Sequence, residues 1–423
     1  MHYSTNMVSL FKQELPMQQS LHLREGQIIF GKINKIFPNQ MAEVQIGQQK
    51  LLAELSIPLA VDSNYWFQVQ KGEIKPQLKV LTAIKTANAH KNQTESLLEQ
   101  LSLPNTTENR AVIASFVQHK LPLTREILEQ TAGWLKDSKE LKKEIDIIKQ
   151  MADKELPFTK EVFASLAAVQ SGKTFPDLLG LLQHELTAHG IQNDSLMELL
   201  ANFNGTDAFQ RENGGEIKKV LSEIIRQLGL SYEAELAGFL STETAVNGDM
   251  QQLKPMLLQL VKTDMPSSIK EVANQLVEKI TGLQLLSQEI GPVTQMVMQL
   301  PFSFGGHTTE ATLQFTGRKT KSGKIDSDFC RILFYLDLQH LKETAIDMQI
   351  QNRIINITIR NDQPFVAELA ERFTKELKGK MHEADYTLLS LAAKPFSNNQ
   401  QDAGYSQISY GGQASYKGVD IKI

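Results

Sequence analysis

Several stretches of this chain carry residue types that chemistry uses. Ser171-Gly172-Lys173-Thr174 ends as a phosphate-binding loop does. Such a loop cradles phosphate oxygens with backbone N–H groups, follows a strand, and needs a glycine five residues before its last one. Ala167 holds that place and a helical run precedes it, so the stretch reads as a Gly-Lys turn at a helix end. His184-Glu185-Leu186-Thr187-Ala188-His189 has the look of a zinc-protease helix. Two histidines share a metal when they lie at i, i+4; at i, i+5 their rings point about 140° apart. The other histidines (His2, His22, His90, His119, His307, His340 and His382) show no ligand spacing. Cys330, the lone cysteine, lies in an apolar run and reads as a small buried hydrophobe.

Binding chemistry has two further candidates. Arg318-Lys319-Thr320-Lys321-Ser322-Gly323-Lys324 is a basic loop suited to phosphate or an acidic surface, or else a solvated hairpin tip. Trp66, between Tyr65 and Phe67, is a candidate base-stacking platform. Glu43, Glu54 and Glu73 nearby work against an RNA surface. Paired carboxylates such as Glu140 and Glu144 sit among lysines and read as a solvated helix face. No Ser/His/Asp set or nucleophile elbow stands out. The expectation is therefore no catalytic residue, no cofactor and no metal, with partner-binding residues unassigned.

The elements that must position these residues fall into blocks. From Arg24 to Ile84 the pattern alternates with period two: Ala42, Val44 and Ile46, then Leu51, Ala53 and Leu55 after a Gly47-Gln48 turn, then Tyr65, Phe67 and Val69, then Leu78 to Thr82. Five short strands predict a small barrel of oligonucleotide-fold type. From Ser96 to about Glu289 the rhythm is helical. Leu121-Pro122-Leu123-Thr124-Arg125-Glu126 returns 35 residues later as Leu156-Pro157-Phe158-Thr159-Lys160-Glu161, with Leu103-Pro104-Asn105-Thr106 as a looser copy. Proline stops one helix, threonine caps the next, and glutamate meets the positive end of the helix dipole. Ser268 and Glu271 read as a capping box before Ile269, Val272, Leu276 and Ile280, with Gly282 as the stop.

The C-terminal block predicts strands at Met296–Phe302, Thr309–Thr316, Cys330–Leu338, Ala345–Ile350, Ile354–Ile359 and Thr387–Leu391. Between the last two lies a helix that Asp362 can cap, carrying Phe365, Leu369, Phe373 and Leu377, with Gly379 near its end. The fold class is α+β multidomain. Its expected parts are a flexible N-terminus (1–23), a barrel (24–86), a helical region (87–290), a two-layer C-terminal domain (291–396) and a disordered Ser/Gln/Gly-rich tail (397–423).

With 423 residues and a formal charge of −4, the chain is not a DNA-coating protein, which argues against a nucleic-acid partner. The first residues lack a basic and apolar leader, so no cleavable signal is expected, and no apolar run reaches the roughly 18 residues of a membrane span.

The C-terminal block resembles the C-terminal domain of flagellar hook-length control proteins. Ile332-Leu333-Phe334-Tyr335-Leu336-Asp337-Leu338-Gln339-His340-Leu341, Ala345-Ile346-Asp347-Met348-Gln349-Ile350 and Asn356-Ile357-Thr358-Ile359 carry the likeness, with the Phe365–Leu377 helix and its closing strand. The ending Tyr416-Lys417-Gly418-Val419-Asp420-Ile421-Lys422-Ile423 is similar to Gram-positive relatives. The resemblance implies a non-enzymatic protein that docks on the cytoplasmic domain of a flagellar export-gate protein and influences switching of type III export substrates. It also implies a cytoplasmic location, with export through that apparatus open. The family's extended Pro-rich ruler is missing: this chain has 14 prolines and a middle region apolar enough to fold. The alternative from another class is an RNA- or ssDNA-binding adaptor that uses the N-terminal barrel.

Overall fold

The structure, a computed structural model, describes residues 23–396, except positions 39, 48, 72–75, 84–93, 96, 100, 119, 137–139, 206–213, 231, 233–251, 291–292, 305–306 and 321–324. The expected N-terminal flexible segment up to residue 22, Lys321 to Lys324 of the basic loop and the 397–423 tail lie outside the described residues. The chain divides into two compact units between Lys149 and Gln150.

The first unit holds the barrel. Strands β1 (Ile28–Ile36), β2 (Met41–Ile46), β3 (Gln49–Leu55), β4 (Asn64–Gln70) and β5 (Gln77–Ala83) close in the order β1-β2-β3-β5-β4. All pairs are antiparallel except β3 with β5. The period-two apolar positions fill the interior: Ile29, Ile33, Ala42, Val44, Ala53, Leu55, Tyr65, Phe67, Val69 and Leu78 form its core. Gly31 is needed there, because a Cβ would come within 2.7 Å of Val44 Cγ1. The β2–β3 turn forms at the expected place, with Gly47 at φ +58, a value open to glycine without cost.

Helices α1 (Thr107–Gln118) and α2 (Arg125–Leu135) follow. The first half of β1 has one edge that β2 does not reach. Leu123 takes it: Ile28 N–H donates to the Leu123 carbonyl and Leu123 N–H returns the bond, both at 2.7 Å.

Helix α3 (Leu141–Asp153) spans the unit boundary. Helices α4 (Lys160–Gln170), α5 (Phe175–Ala188), α6 (Asp194–Gly205), α7 (Gly214–Leu228), α8 (Leu253–Lys262) and α9 (Ser267–Leu286) follow. The repeated phrases act as the sequence predicts. Thr124 Oγ1 accepts from Ile127 N at 3.2 Å and Thr159 Oγ1 from Val162 N at 3.3 Å. In the looser copy, Thr106 Oγ1 accepts from Asn109 N at 3.2 Å.

Two helix-end readings are corrected in α9. The box at Ser268 and Glu271 does not form: the N-cap is Pro266, without a side-chain cap bond. Instead the Ser268 hydroxyl is the first of the groups that hold the Glu185 carboxyl below its ordinary range. Gly282 does not stop the helix, which runs on to Leu286. A Cβ at Gly282 would lie 2.2 Å from the Ser165 carbonyl oxygen, so glycine lets α4 and α9 approach backbone to backbone.

A seven-stranded sheet ends the described chain. Its strands are β6 (Gln288–Ile290), β7 (Val293–Phe304), β8 (His307–Lys319), β9 (Ile325–Leu338), β10 (Lys342–Gln351), β11 (Ile354–Arg360) and β12 (Thr387–Lys394). They lie in the order β12-β11-β10-β9-β8-β7-β6, so the apolar run around Cys330 is the middle strand, as its composition predicts. Asn352 (φ +54) and Arg353 (φ +64) make the tight β10–β11 turn. Helix α10 (Phe365–Glu383) crosses over to bring β12 parallel to β11. It covers one sheet face, packing Leu377 and Met381 on Ile350, Ile355, Ile357 and Leu388. The opposite face at the β7–β8 end receives the helical region: Val297 N donates to Ser287 Oγ at 2.9 Å and Lys154 reaches Gln295 at 3.5 Å.

Only part of the apolar set on α10 packs on the sheet. Val366, Leu377 and Met381 pack, whereas Phe365 is 44% exposed and Phe373 50% exposed. Asp362 does not cap the helix, whose N-cap is Pro364; its carboxylate accepts from Phe396 N at 2.9 Å and pins the exit of β12. Gly379 lies within the helix, which continues to Glu383.

Candidate nucleic-acid interface

The aromatic trio of β4 splits by strand parity. Tyr65 and Phe67 point into the barrel core, with ring centroids 6.0 Å apart. Trp66 points outward, opposite Phe30 on β1, and their rings meet edge to face at 5.3 Å. The outer face at this point is not open: Trp66 and Ile28 are both fully buried, beside the chain that carries Leu123. Lys120 Nζ sits 5.0 Å over the Phe30 ring. Trp66 is therefore a core residue and not the base-stacking platform that its neighbours suggested. Among the described residues its Nε1–H meets no hydrogen-bond acceptor.

An accessible patch lies at one mouth of the barrel. Phe37 to Gln40 turns from β1 to β2, closed by Phe37 N donating to the Met41 carbonyl at 2.8 Å. Gln40 adopts φ +58 and its carbonyl accepts from Leu55 N at 2.8 Å, which fixes the turn to the end of β3. Phe37 is left 41% exposed and Ile57, just beyond β3, 51% exposed. Beneath the turn is an open cleft of about 440 Å³, lined by Gln40, Ser56, Ile57, Gln70, Gln77, Lys79 and Val80. Three carboxamides, a hydroxyl and an ammonium offer donors and acceptors, and among the described residues no carboxylate lines it. Ser56 Oγ is held by the Leu78 carbonyl at 3.1 Å.

One of the three carboxylates that argued against an RNA surface, Glu43, is partly neutralised, and Glu73 lies outside the described residues. Glu43 accepts from Asn34 at 3.3 Å and pairs with Lys50 at 3.4 Å. The Asn34 bond, then Lys50, holds its carboxyl below the usual range. Residues 24–83 carry seven Lys/Arg against five Asp/Glu, so the barrel is mildly basic within a chain of net charge −4. Reasoning from the sequence missed Phe37, Gln40 and Lys79. The available signal was Phe37-Pro38-Asn39, an aromatic beside turn residues between two strands, which is where such barrels place their binding loops.

The remaining candidates are not brought into any one site. Ser171 to Thr174 links α4 to α5, and Thr174 forms a capping box with Asp177 at the start of α5. The position where a phosphate would sit at that helix end is taken by a carboxylate: Glu310 Oε2 accepts from Phe175 N at 2.7 Å. Lys279, 1% exposed, lies 3.5 Å from the same oxygen, donates to the Lys173 carbonyl at 2.9 Å and stands over the Phe175 ring. Burial pushes the Glu310 carboxyl up and the Lys279 ammonium down.

His184 and His189 approach the Glu185 carboxylate at 3.7 and 3.8 Å. Among the described residues no cluster of His, Cys, Asp and Glu can hold a metal ion. Arg318 is engaged by Asp326 at 2.8 Å and by the Phe329 ring at 3.9 Å, which leaves less of the basic loop for an anion. Cys330 is buried in β9, and burial raises its thiol pKa. Glu140 pairs with Lys143 at 2.7 Å on the surface. Among the described residues no helix is long and apolar enough to cross a membrane.

Two comparisons with known proteins bear on this geometry. Residues 4–79 match the family described as the TP0910 S1-like domain. The Bacillus subtilis (strain 168) protein described as "Uncharacterized protein YlqG" is 30% identical over 210 residues, 49% of this chain and 36% of that protein. The chain thus spans little more than a third of the length of this curated relative. Neither match carries a flagellar description. The matched range covers β1 to β4 and the start of β5, so the closed barrel is S1-like, a domain type that often binds nucleic acid.

Proposed function

We propose that this chain is a non-enzymatic, multidomain binding protein whose S1-like barrel takes a single-stranded nucleic acid at the mouth formed by Phe37 to Gln40. The observation that carries this reading is the cleft beneath that turn, where the described lining offers three carboxamides, a hydroxyl and an ammonium, in a barrel whose family match and charge both lean toward nucleic acid. Phe37 supplies a π-face for a base, Lys79 meets a phosphate, and Gln40, Gln70 and Gln77 offer both halves of a hydrogen-bond edge. With so few cations the contact is weak and shallow in its salt dependence.

Fluorescence polarisation tests it, with a labelled RNA of about 15 nucleotides and the full chain at about 50 and 200 mM salt. Binding in the micromolar range, weakened by salt and lost in Phe37→Ala and Lys79→Glu, is the expected result. No binding at about 100 µM protein and low salt removes the proposal.

A second reading rests on the far end of the chain. Strand β12 is the edge of its sheet, with Leu389 65% exposed at a bulge opposite Asn356. The hook-length resemblance gives this edge an occupant, the cytoplasmic domain of a flagellar export-gate protein, joined by strand addition or side-chain contact. Titration of the full chain against that domain by calorimetry distinguishes the two. Heat that disappears in Leu389→Lys supports docking, and silence at tens of micromolar (about −6 kcal/mol or weaker) removes it.

A further inference from the structure

We infer that α10 and the sheet beneath it form one apolar groove, and that Tyr405 to Tyr410 of the chain's own C-terminal segment lie in it. At about 100° per residue, Val366, Leu377 and Met381 point to the sheet within about 60° of one another. Phe373, Leu369 and Phe365 step about 20°, 60° and 100° away from Val366 in the other sense, all on one flank. Leu369 is half-buried, and Phe373 and Phe365 are the exposed rings. The direction of that flank follows from topology. Helix α10 joins the parallel neighbours β11 and β12, and such a crossover is right-handed in nearly all proteins. Seen from the helix side with β11 running upward, β12 lies to its right and β10 and β9 to its left. A right-handed helix descending over them turns the flank of Phe365, Leu369 and Phe373 to the left, over the middle of the sheet.

The sheet on that side is apolar and only partly covered. Pairing sets Met298, Leu313 and Phe334 in one row and Met296, Phe315 and Ile332 in the next. The second row is on the α10 face, since Phe315 and Ile332 pack against the core beneath that helix. The first lies two residues away on each strand and so shares the face. All six are half-buried. A helix is about 10 Å wide and strands lie about 4.8 Å apart, so α10 covers about two strands and leaves this strip as the groove floor.

The occupant follows from where the described chain stops and from charge. Phe396 N donates to Asp362 at 2.9 Å, so the chain leaves the sheet three residues from Phe365, at the head of the flank. Ser397 to Gly404 reach about 26 Å at full stretch, against about 12 Å from Phe365 to Phe373. Next come Tyr405, Ile408 and Tyr410, which span about 17 Å when extended. Asp402 is the one charge between Ser397 and Tyr416. The groove rim is balanced in the same way: Glu376 pairs with Lys380 at 3.1 Å, and the Arg372 guanidinium stands 5.6 Å from the centre of the Phe373 ring. A neutral segment suits that rim better than a strongly acidic or basic partner. Composition alone reads the segment as disordered, because it has little apolar surface to bury on itself. A groove within reach supplies that surface. A short flexible tether holds the segment at an effective concentration of about 1 mM, so a contact too weak to form between separate molecules is populated here.

Photocrosslinking in the full chain tests this, with p-benzoylphenylalanine in place of Phe373 and, as a control on the opposite flank, in place of Lys378. Irradiation at about 1 and 100 µM protein, followed by peptide mass spectrometry, should join position 373 to the peptide containing 405–410 of the same chain, in a yield that does not change with concentration. The control should give at most about a tenth of that yield. Tyr405→Ser, Ile408→Ser and Tyr410→Ser together should lower the crosslink about tenfold. The circular dichroism spectrum should not change, because the described core contains none of the three. A crosslink between two chains that grows with concentration overturns the inference in favour of a second copy, and one to another segment overturns it in favour of that segment. No crosslink, equal yields from the two positions, or a yield that survives the triple change also overturns it.

Discussion

The barrel and the C-terminal sheet solve the same problem in opposite ways. Both consist of strands with apolar residues at alternate positions. The barrel closes on itself, so it has almost no edge to offer, and the one short edge it leaves on β1 is taken by Leu123. Its accessible chemistry moves to a turn, Phe37 to Gln40, and the cleft beneath it. The seven-stranded sheet stays open, keeps β12 as an edge, and leaves phenylalanines exposed on the helix that covers it. A closed sheet binds through its loops, whereas an open one has edges and helix flanks to offer.

Changes to each region sharpen that contrast. The largest effects are expected in the buried groups. Trp66→Ala should cost about 3–5 kcal/mol, because the ring is part of the core shared by barrel and helices and not a surface platform. Urea unfolding of the full chain measures it, and a near-neutral result would return Trp66 to the surface. Trp66→Phe should cost much less than a usual Trp truncation, since it removes an N–H that meets no acceptor among the described residues. In the other unit, Glu310→Ala should cost a similar 3–5 kcal/mol by leaving Lys279 charged, buried and unpaired. Lys279→Met combined with Glu310→Gln should recover most of that loss.

Gly282→Ala comes next. The methyl must displace the Ser165 carbonyl, and about 1–3 kcal/mol is expected from separating α4 and α9. The caps follow: Thr124→Ala and Thr159→Ala should cost about 1 kcal/mol each, one in each unit, which compares the same phrase in two settings.

The smallest effect is a pH dependence. Glu126 and Glu161, in the first turns of α2 and α4, have carboxyls held below their ordinary range. Each is held first by backbone N–H bonds and then by the capping threonine. A lowered folded-state pKa means the stabilising contribution is present above the ordinary carboxylate pKa of about 4.5 and fades as pH falls through the lower folded value. Glu126→Gln and Glu161→Gln should flatten the fall in melting temperature below that pH, with little change at neutrality.

Much of this fold is legible in the residues. Period-two runs with Gly47-Gln48 between them fix β2 and β3, because the tight turn sets the register and a one-residue slip would turn Val44 and Ala53 outward. The Leu-Pro-x-Thr phrases fix helix starts, because capping is a contact between a side chain and its own backbone three residues on. The failures share a cause. Local rules read Gly282, Ser268 and Asp362 as helix-end residues, and each is decided by something distant: Ser165, Glu185 and Phe396. Trp66 failed for the same reason, since parity sets which way it points but not what covers that side.

By itself, then, the sequence determined the kinds of element, their order and the alternation of faces, since these depend on neighbours within a few residues along the chain. Only the tertiary structure decided which outward faces are covered, which carboxylate occupies the start of α5, and where a cleft opens at the barrel mouth. Burial depends on segments that meet from far apart in the chain. A residue's type and spacing state what it can do, and the packing around it determines whether it is free to do so.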